Sequence, residues 1–142
     1  MSMTYWGING FGLCLDSVYG ALNQKVVKEK IKELFKPDQT EGIDDVADIL
    51  DADWFYGDPY SNFAEFLVEG YDEKKILSWE DDGNGRAFLL YQPPYPWQLK
   101  PEDPKTCDEL ISYMVKVLQN VFDLSHNEIA SKLDFISDWG CG

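Results

Sequence analysis

Two hydrophobic periods alternate along the 142-residue chain, and together they predict strands and helices. Residues 5–15 place Trp6 and Ile8 on one side and the later apolar residues on the other, which predicts a strand bent at its glycines. Residues 74–80 and 86–92 are apolar runs joined by a link rich in glycine and asparagine. Such a link is typical of a β-hairpin, so we expect these two runs to pair as antiparallel strands.

Apolar residues spaced three and four apart predict helices in the rest of the chain. The strongest is residues 106–122, where Thr106 and Glu109 match a capping box, and Ser125 and Glu128 repeat that pattern. The predicted helices are 23–36, 42–54, 61–68, 106–122 and 125–133, and residues 135–139 are a candidate last strand. We therefore predict a single acidic α+β domain over 1–142, with a small antiparallel sheet (N-terminal strand plus central hairpin) packed against four to five helices.

Charge is concentrated in one part of the sequence. Residues 38–82 hold 15 acidic residues and two lysines, a formal charge of −13, whereas the whole chain carries −14. Residues 1–37 are slightly positive and residues 83–142 carry only −3. A hydrophobic content of 44% excludes a disordered acidic tail, because such tails lack the apolar area that offsets the entropy of ordering. The acids therefore belong to a folded protein.

The predicted helix 42–54 displays its carboxylates in a row. Its apolar residues fall on one side at 100° per residue, so Asp44, Asp48 and Asp51 line the opposite flank. Aspartate is a poor helix former, and most of this row lies beyond the reach of the favourable helix dipole. Tyrosines and further acids follow directly after this helix. The candidate partner-binding residues are Asp44, Asp45, Asp48, Asp51, Asp53, Tyr56, Asp58, Tyr60 and Glu65.

A concentrated anionic surface favours a basic protein partner and disfavours nucleic acid and anionic membranes. Carboxylates on a rigid helix approximate the charge spacing of DNA, about one negative charge per 1.7 Å. We therefore predict a non-enzymatic binding protein that docks residues 38–82 on a basic, nucleic-acid-binding protein, in its most specific form as a nucleic-acid mimic. This charge distribution resembles that of phage-encoded anti-restriction and anti-CRISPR inhibitors. The resemblance is one of charge alone and does not extend to a sequence motif.

Other classes of function find less support in the residues. A small hydrolase using two of the 26 carboxylates, or a structural assembly subunit, remains open as an alternative. Residues 124–133 resemble the entry to a helix-turn-helix, but the basic residues that would bind phosphate are missing after them.

No metal or cofactor is predicted. A calcium loop at 80–91 fails because Tyr91 occupies the position of the bidentate carboxylate. The sequence predicts a cytoplasmic protein. Its three cysteines are an odd number, it has no apolar run of about 20 residues, and residues 1–4 show no secretory pattern.

Overall fold

Four antiparallel strands form the sheet of this α+β protein. The computed structural model describes residues 3–34 and 63–142. The strands are β1 (Tyr5–Cys14), β2 (Ser78–Asp81), β3 (Ala87–Tyr91) and β4 (Asp134–Cys141), in the order β2-β3-β1-β4. The predicted α+β class with a small antiparallel sheet is confirmed, and the candidate last strand joins the sheet beside the N-terminal one.

Four α-helices lie in the described part of the chain. They are α1 (Gln24–Leu34), α2 (Phe63–Tyr71), α3 (Cys107–Gln119) and α4 (His126–Ala130). Both predicted capping patterns mark helix starts, since the side chains of Thr106 and Ser125 accept the N–H of the third residue of α3 and α4. The box is complete at Ser125, whose N–H donates to Glu128, whereas the Glu109 carboxylate accepts the N–H of Lys105. The predicted helix 42–54 lies outside the described residues.

The strand β1 is long enough to serve two neighbours in succession. Its first eight residues pair with β4, from Tyr5 opposite Cys141 to Gly12 opposite Asp134. Its last four residues pair with β3, from Phe11 opposite Tyr91 onward. The two pairings overlap only at residues 11–12, next to Gly10, whose φ of 156° is a conformation that favours glycine. Gly10 therefore lies close to the point where the pairing of β1 with β4 gives way to its pairing with β3.

The main core lies between one side of the sheet and the helices. Alternation along the strands directs Leu13 of β1 and Leu89 of β3 to this side. There they join buried side chains of the helices, among them Phe66 of α2 and Met114 and Leu118 of α3. Residues three and four apart on α3 thus supply the apolar stripe that the sequence predicts.

The other side of the sheet buries a second, smaller cluster by curling. Ile8, Phe88 and Leu90 are almost fully buried there, with Trp6 packed against them. The Trp6 indole N–H donates to the Asp81 carbonyl at 2.9 Å. In a flat sheet these two residues would lie roughly 30 Å apart, because Asp81 is registered just beyond the far end of β1. The sheet is therefore strongly coiled, and the end of its hairpin meets the start of β1.

Candidate protein-interaction surface

Most of the predicted partner-binding residues lie outside the described part of the chain. These are Asp44, Asp45, Asp48, Asp51, Asp53, Tyr56, Asp58 and Tyr60. Glu65 is described, and it lies half-buried in the first turn of α2. The structure therefore brings no set of these residues together, and their role as a binding surface stays a prediction.

Seven acids of the segment 38–82 are described, and one of them is a structural residue of the interior. Asp72 is only 2% exposed. Its carboxylate accepts the Leu77 N–H at 2.8 Å and the hydroxyl of Tyr113, which comes from α3. Burial and this hydrogen bond to the carboxylate raise the pKa of Tyr113. Asp72 thus attaches the start of the hairpin to a helix, and it adds no charge to an outer surface.

A second acid of the segment organises the hairpin turn. Asp82 is 4% exposed, and its carboxylate accepts the N–H groups of Asn84 and Arg86 at 2.8 and 3.0 Å. The Arg86 guanidinium contacts Asp82 at 2.7 Å and Asp138 of β4 at 3.0 Å. Burial alone would raise the pKa of Asp82, but the hydrogen bonds from Arg86 and Asn84 outweigh it and lower that pKa. The contacts between Arg86 and Asp82 thus close the hairpin turn.

The hairpin turn also joins the two ends of the coiled sheet. The Asp82 carbonyl accepts the Cys141 N–H at 3.2 Å. Next to it, Gly83 has a φ of 77° and lies so close to the Cys141 carbonyl that a side chain would collide with it. Asp81 accepts the Gly83 N–H at 3.0 Å and holds the turn in shape. Asp81 and Asp82 therefore stabilise the conformation of the hairpin turn.

Glu69 and Glu73 remain as exposed acids of the described part of the segment. Two exposed lysines, Lys74 and Lys75, follow Glu73 directly in the sequence. The Lys74 ammonium lies over the Tyr113 ring, 5.0 Å from its centroid. The charge of residues 63–82 is therefore partly internal and partly compensated. If the segment presents a strongly anionic surface, residues 38–58 must supply most of it.

Exposed aromatic side chains form a feature that the sequence did not single out. Tyr95 and Trp97 stack with their ring centroids 4.8 Å apart, and Trp97 is 79% exposed. Phe135 and Trp139 of β4 are 78% and 60% exposed. Large exposed aromatic groups are enriched where proteins bind other proteins. In the sequence, the alternation of polar and aromatic residues within 134–141 already indicates that Phe135 and Trp139 lie on the same side of a strand.

An apolar groove of about 570 Å³ runs between the sheet and α3. Its walls include Phe11, Tyr91 and Phe135 from the sheet, Leu110 from α3, and Leu99 from the connector. Among the described residues that line it, Asp103 is the one acid. A glycosidase-type site needs two carboxylates, one on each side of the scissile bond, and the described residues of this groove supply one.

Within residues 3–34 and 63–142, no three His, Cys, Asp or Glu side chains are grouped so that they could hold a metal ion. The three cysteines, Cys14, Cys107 and Cys141, are free thiols. Burial raises the pKa of Cys14, which makes it a poor nucleophile. None of the helices in the described ranges combines the length and apolar character that a bilayer crossing requires.

No protein-family model matches the chain, and comparison with curated proteins and with solved structures finds no significant match.

Proposed function

We propose that this protein is a non-enzymatic binding protein that docks its acidic segment, residues 38–82, on a basic protein partner. The observation that carries the proposal is the segregation of charge: this third of the chain holds −13 of the −14 formal charges. Crowded like charges weaken a fold by mutual repulsion, so a cluster of this size has a standing energetic cost. A partner with a complementary surface turns that cost into binding energy and faster association.

The structural roles of the hairpin acids narrow the proposed surface. Because Asp72 and Asp82 are buried and engaged, the charges available to a partner come chiefly from residues 38–58. Within them, Asp44, Asp48 and Asp51 are the proposed row. The proposal includes a helix over 42–54, which would be a fifth beside the four described α-helices. A partner that normally binds nucleic acid fits such a row best, because it already presents lysines and arginines at phosphate spacing.

The proposed location is the cytoplasm. The three free thiols of Cys14, Cys107 and Cys141 fit a reducing compartment. A small hydrolase and an assembly subunit are the competing classes. The described residues give neither class specific support. Of those that line the apolar groove, Asp103 is the one acid, whereas a glycosidase-type active site uses two.

Capture from a lysate of the source organism tests the proposal. The immobilised wild-type chain is compared with the variant carrying Asp44→Lys, Asp48→Lys and Asp51→Lys. A matched control carries Asp16→Lys, Glu29→Lys and Glu102→Lys, which are exposed outside the segment and change the net charge equally. We expect a basic protein that the wild type and the control retain, that the segment variant loses, and that duplex DNA displaces.

Two outcomes would contradict the proposal. If both triple variants lose the captured protein equally, net charge alone determines binding and the segment has no special role. If neither variant loses it, and 500 mM salt does not release it, the binding is not electrostatic.

A further inference from the structure

We infer that the outer edge of β4 over residues 134–139, which none of the described strands covers, binds an extended basic segment of the protein partner as an added antiparallel strand. This inference rests on the proposed function, because it names a second contact with the same basic partner. The strand β4 is the last in the sheet order, and of the described strands only β1 pairs with it. Strand addition at an open edge is a common mode of peptide recognition.

The hydrogen-bond pattern shows which residues of β4 face outward. Thr4 and Gly142 exchange two backbone hydrogen bonds, of 2.8 and 3.0 Å, just beyond the last pair of β1 and β4. Hydrogen-bonded and non-hydrogen-bonded pairs alternate along an antiparallel ladder. Phe135, Ser137 and Trp139 therefore direct their N–H and C=O groups away from β1. Cys141 is the next outward residue, and its N–H indeed points away from β1 and donates to the Asp82 carbonyl.

Aspartates of β4 itself occupy two of these outward N–H groups. The Asp134 carboxylate accepts the Phe135 N–H at 2.7 Å, and the Asp138 carboxylate accepts the Trp139 N–H at 2.8 Å. Exposed edges usually carry a device that prevents uncontrolled pairing, and here the carboxylates provide it. The device is reversible, because the carbonyl of an added strand can replace the carboxylate as acceptor of each N–H, and Asp138 keeps its ion pair with Arg86 when this happens.

A basic strand supplies both the carbonyls that replace the carboxylates as acceptors and the cations that pair with the released carboxylates. Its lysines pair with Asp134 and Asp138, and its carbonyls then accept the N–H groups of Phe135 and Trp139. Its apolar residues, which point to the other side of the sheet, cover the two exposed rings. A second copy of this chain fits poorly, because each copy carries a formal charge of −14 and brings aspartates to the contact.

The period of the charges and rings defines the segment that fits. Both the two aspartates and the two aromatic residues are four positions apart, and the aspartates alternate in side with the rings. The matching probe is the blocked peptide Thr-Leu-Lys-Thr-Thr-Leu-Lys-Thr. When it lies antiparallel to β4, its lysines stand opposite Asp138 and Asp134, and its leucines stand opposite Trp139 and Phe135.

N-methylation of the probe gives a matched pair of controls. One version is methylated on the three residues opposite Trp139, Ser137 and Phe135, whose N–H groups must bond to β4. The other is methylated on the three alternate residues, whose N–H groups point away. Fluorescence anisotropy of the labelled peptide at 50 mM salt measures both. We expect the first version to bind at least about tenfold more weakly than the second, since it loses up to three hydrogen bonds.

Two variants of the protein test the same edge. Ser137→Pro removes an outward N–H that the ladder with β1 does not use, and proline is tolerated on edge strands in that orientation. We expect it to keep its fold, checked by circular dichroism and thermal unfolding, and to lose peptide binding about tenfold or more. The matched change Ile136→Pro removes a ladder hydrogen bond to Gly10 and should destabilise the protein itself.

Three outcomes would overturn the inference. The first is no binding at 1 mM peptide. The second is equal binding of the two methylated versions. The third is a dimer of the wild type, seen by sedimentation, that Ser137→Pro dissolves, because a second copy would then occupy the edge.

These outcomes are distinguishable from failure of the proposed function. If capture by residues 38–82 persists while the peptide fails to bind, the inference about β4 alone is wrong. If the peptide binds while reversal of the segment charges leaves capture unchanged, the proposed role of the segment is wrong.

Discussion

Replacing Asp72 with alanine should destabilise the protein far more than replacing its neighbour Glu73. The change removes the acceptor of the buried Leu77 N–H and of the Tyr113 hydroxyl. A buried donor left unsatisfied costs about 1–3 kcal/mol, and a lost hydrogen bond to a charged group costs about 1.5–3 kcal/mol. We therefore expect Asp72→Ala to lower the free energy of unfolding by about 3–5 kcal/mol. Glu73 is exposed, and its alanine variant should stay within about 0.5 kcal/mol of the wild type.

Urea denaturation followed by tryptophan fluorescence measures the difference. With a slope of about 2 kcal/mol per molar urea for a domain of this size, the midpoint of Asp72→Ala should fall by about 1.5–2.5 M. A double-mutant cycle with Tyr113→Phe should return a coupling of about 1–2 kcal/mol. An unfolding free energy of Asp72→Ala within 0.5 kcal/mol of the wild type, or a coupling near zero, would refute the structural role of this carboxylate.

Three further changes probe the sheet, the turn and a helix start. Gly12→Ala places a methyl group against the Leu89 carbonyl and should lower the unfolding free energy by more than about 2 kcal/mol. The control Gly20→Ala places its methyl group in open space and should change that free energy by less than about 1 kcal/mol. Chemical denaturation of both variants measures the difference. The Asp82 pKa is lowered in the folded state from 3.8, so its stabilisation is present above that value and is lost as pH falls through the lower folded pKa; Asp82→Asn should flatten the acid limb of a stability–pH curve, and an unchanged limb would be contrary evidence. Thr106→Ala removes the helix cap and should cost about 1 kcal/mol, measured as a lower midpoint in urea; restoration by Thr106→Ser is the control, and no loss in the alanine variant would contradict the cap.

The elements that the sequence predicted well are those determined by local interactions. The cap of α3 depends on Thr106 and the N–H of Glu109, three residues away, at 3.1 Å. The cap of α4 repeats this arrangement with Ser125 and Glu128. Side-chain chemistry within one turn decides such features, so the pattern in the sequence was sufficient.

The start of β2 could not be predicted, because distant contacts set it. The apolar run suggested a strand over 74–80, but the strand is Ser78–Asp81. Lys75 has a φ of 57°, which no strand adopts. Asp72 binds the Leu77 N–H and is itself held by Tyr113, 41 residues further along the chain. A tertiary contact therefore overrides the local propensity of residues 74–77.

The candidate site was only partly predictable for the same reason. Counting acids locates the charge of 38–82, but it cannot separate structural carboxylates from displayed ones. Asp82 became structural because Arg86 lies beside it and Asp138 arrives from β4. The coiling of the sheet that brings Asp138 there depends on strand order, which the sequence pattern did not define. The exposure of Trp139 follows from that same strand order.

The dissociation constant of the captured basic partner shows whether residues 38–82 carry the binding. It is measured with purified protein at 50 and 500 mM salt, for the wild type, the Asp44, Asp48 and Asp51 charge reversal, and the Asp16, Glu29 and Glu102 control. We expect at least about hundredfold weaker binding for the segment variant at 50 mM salt, at most about threefold weaker binding for the control, and a marked loss of wild-type affinity at 500 mM salt. Equal dissociation constants for the two triple variants would contradict this expectation.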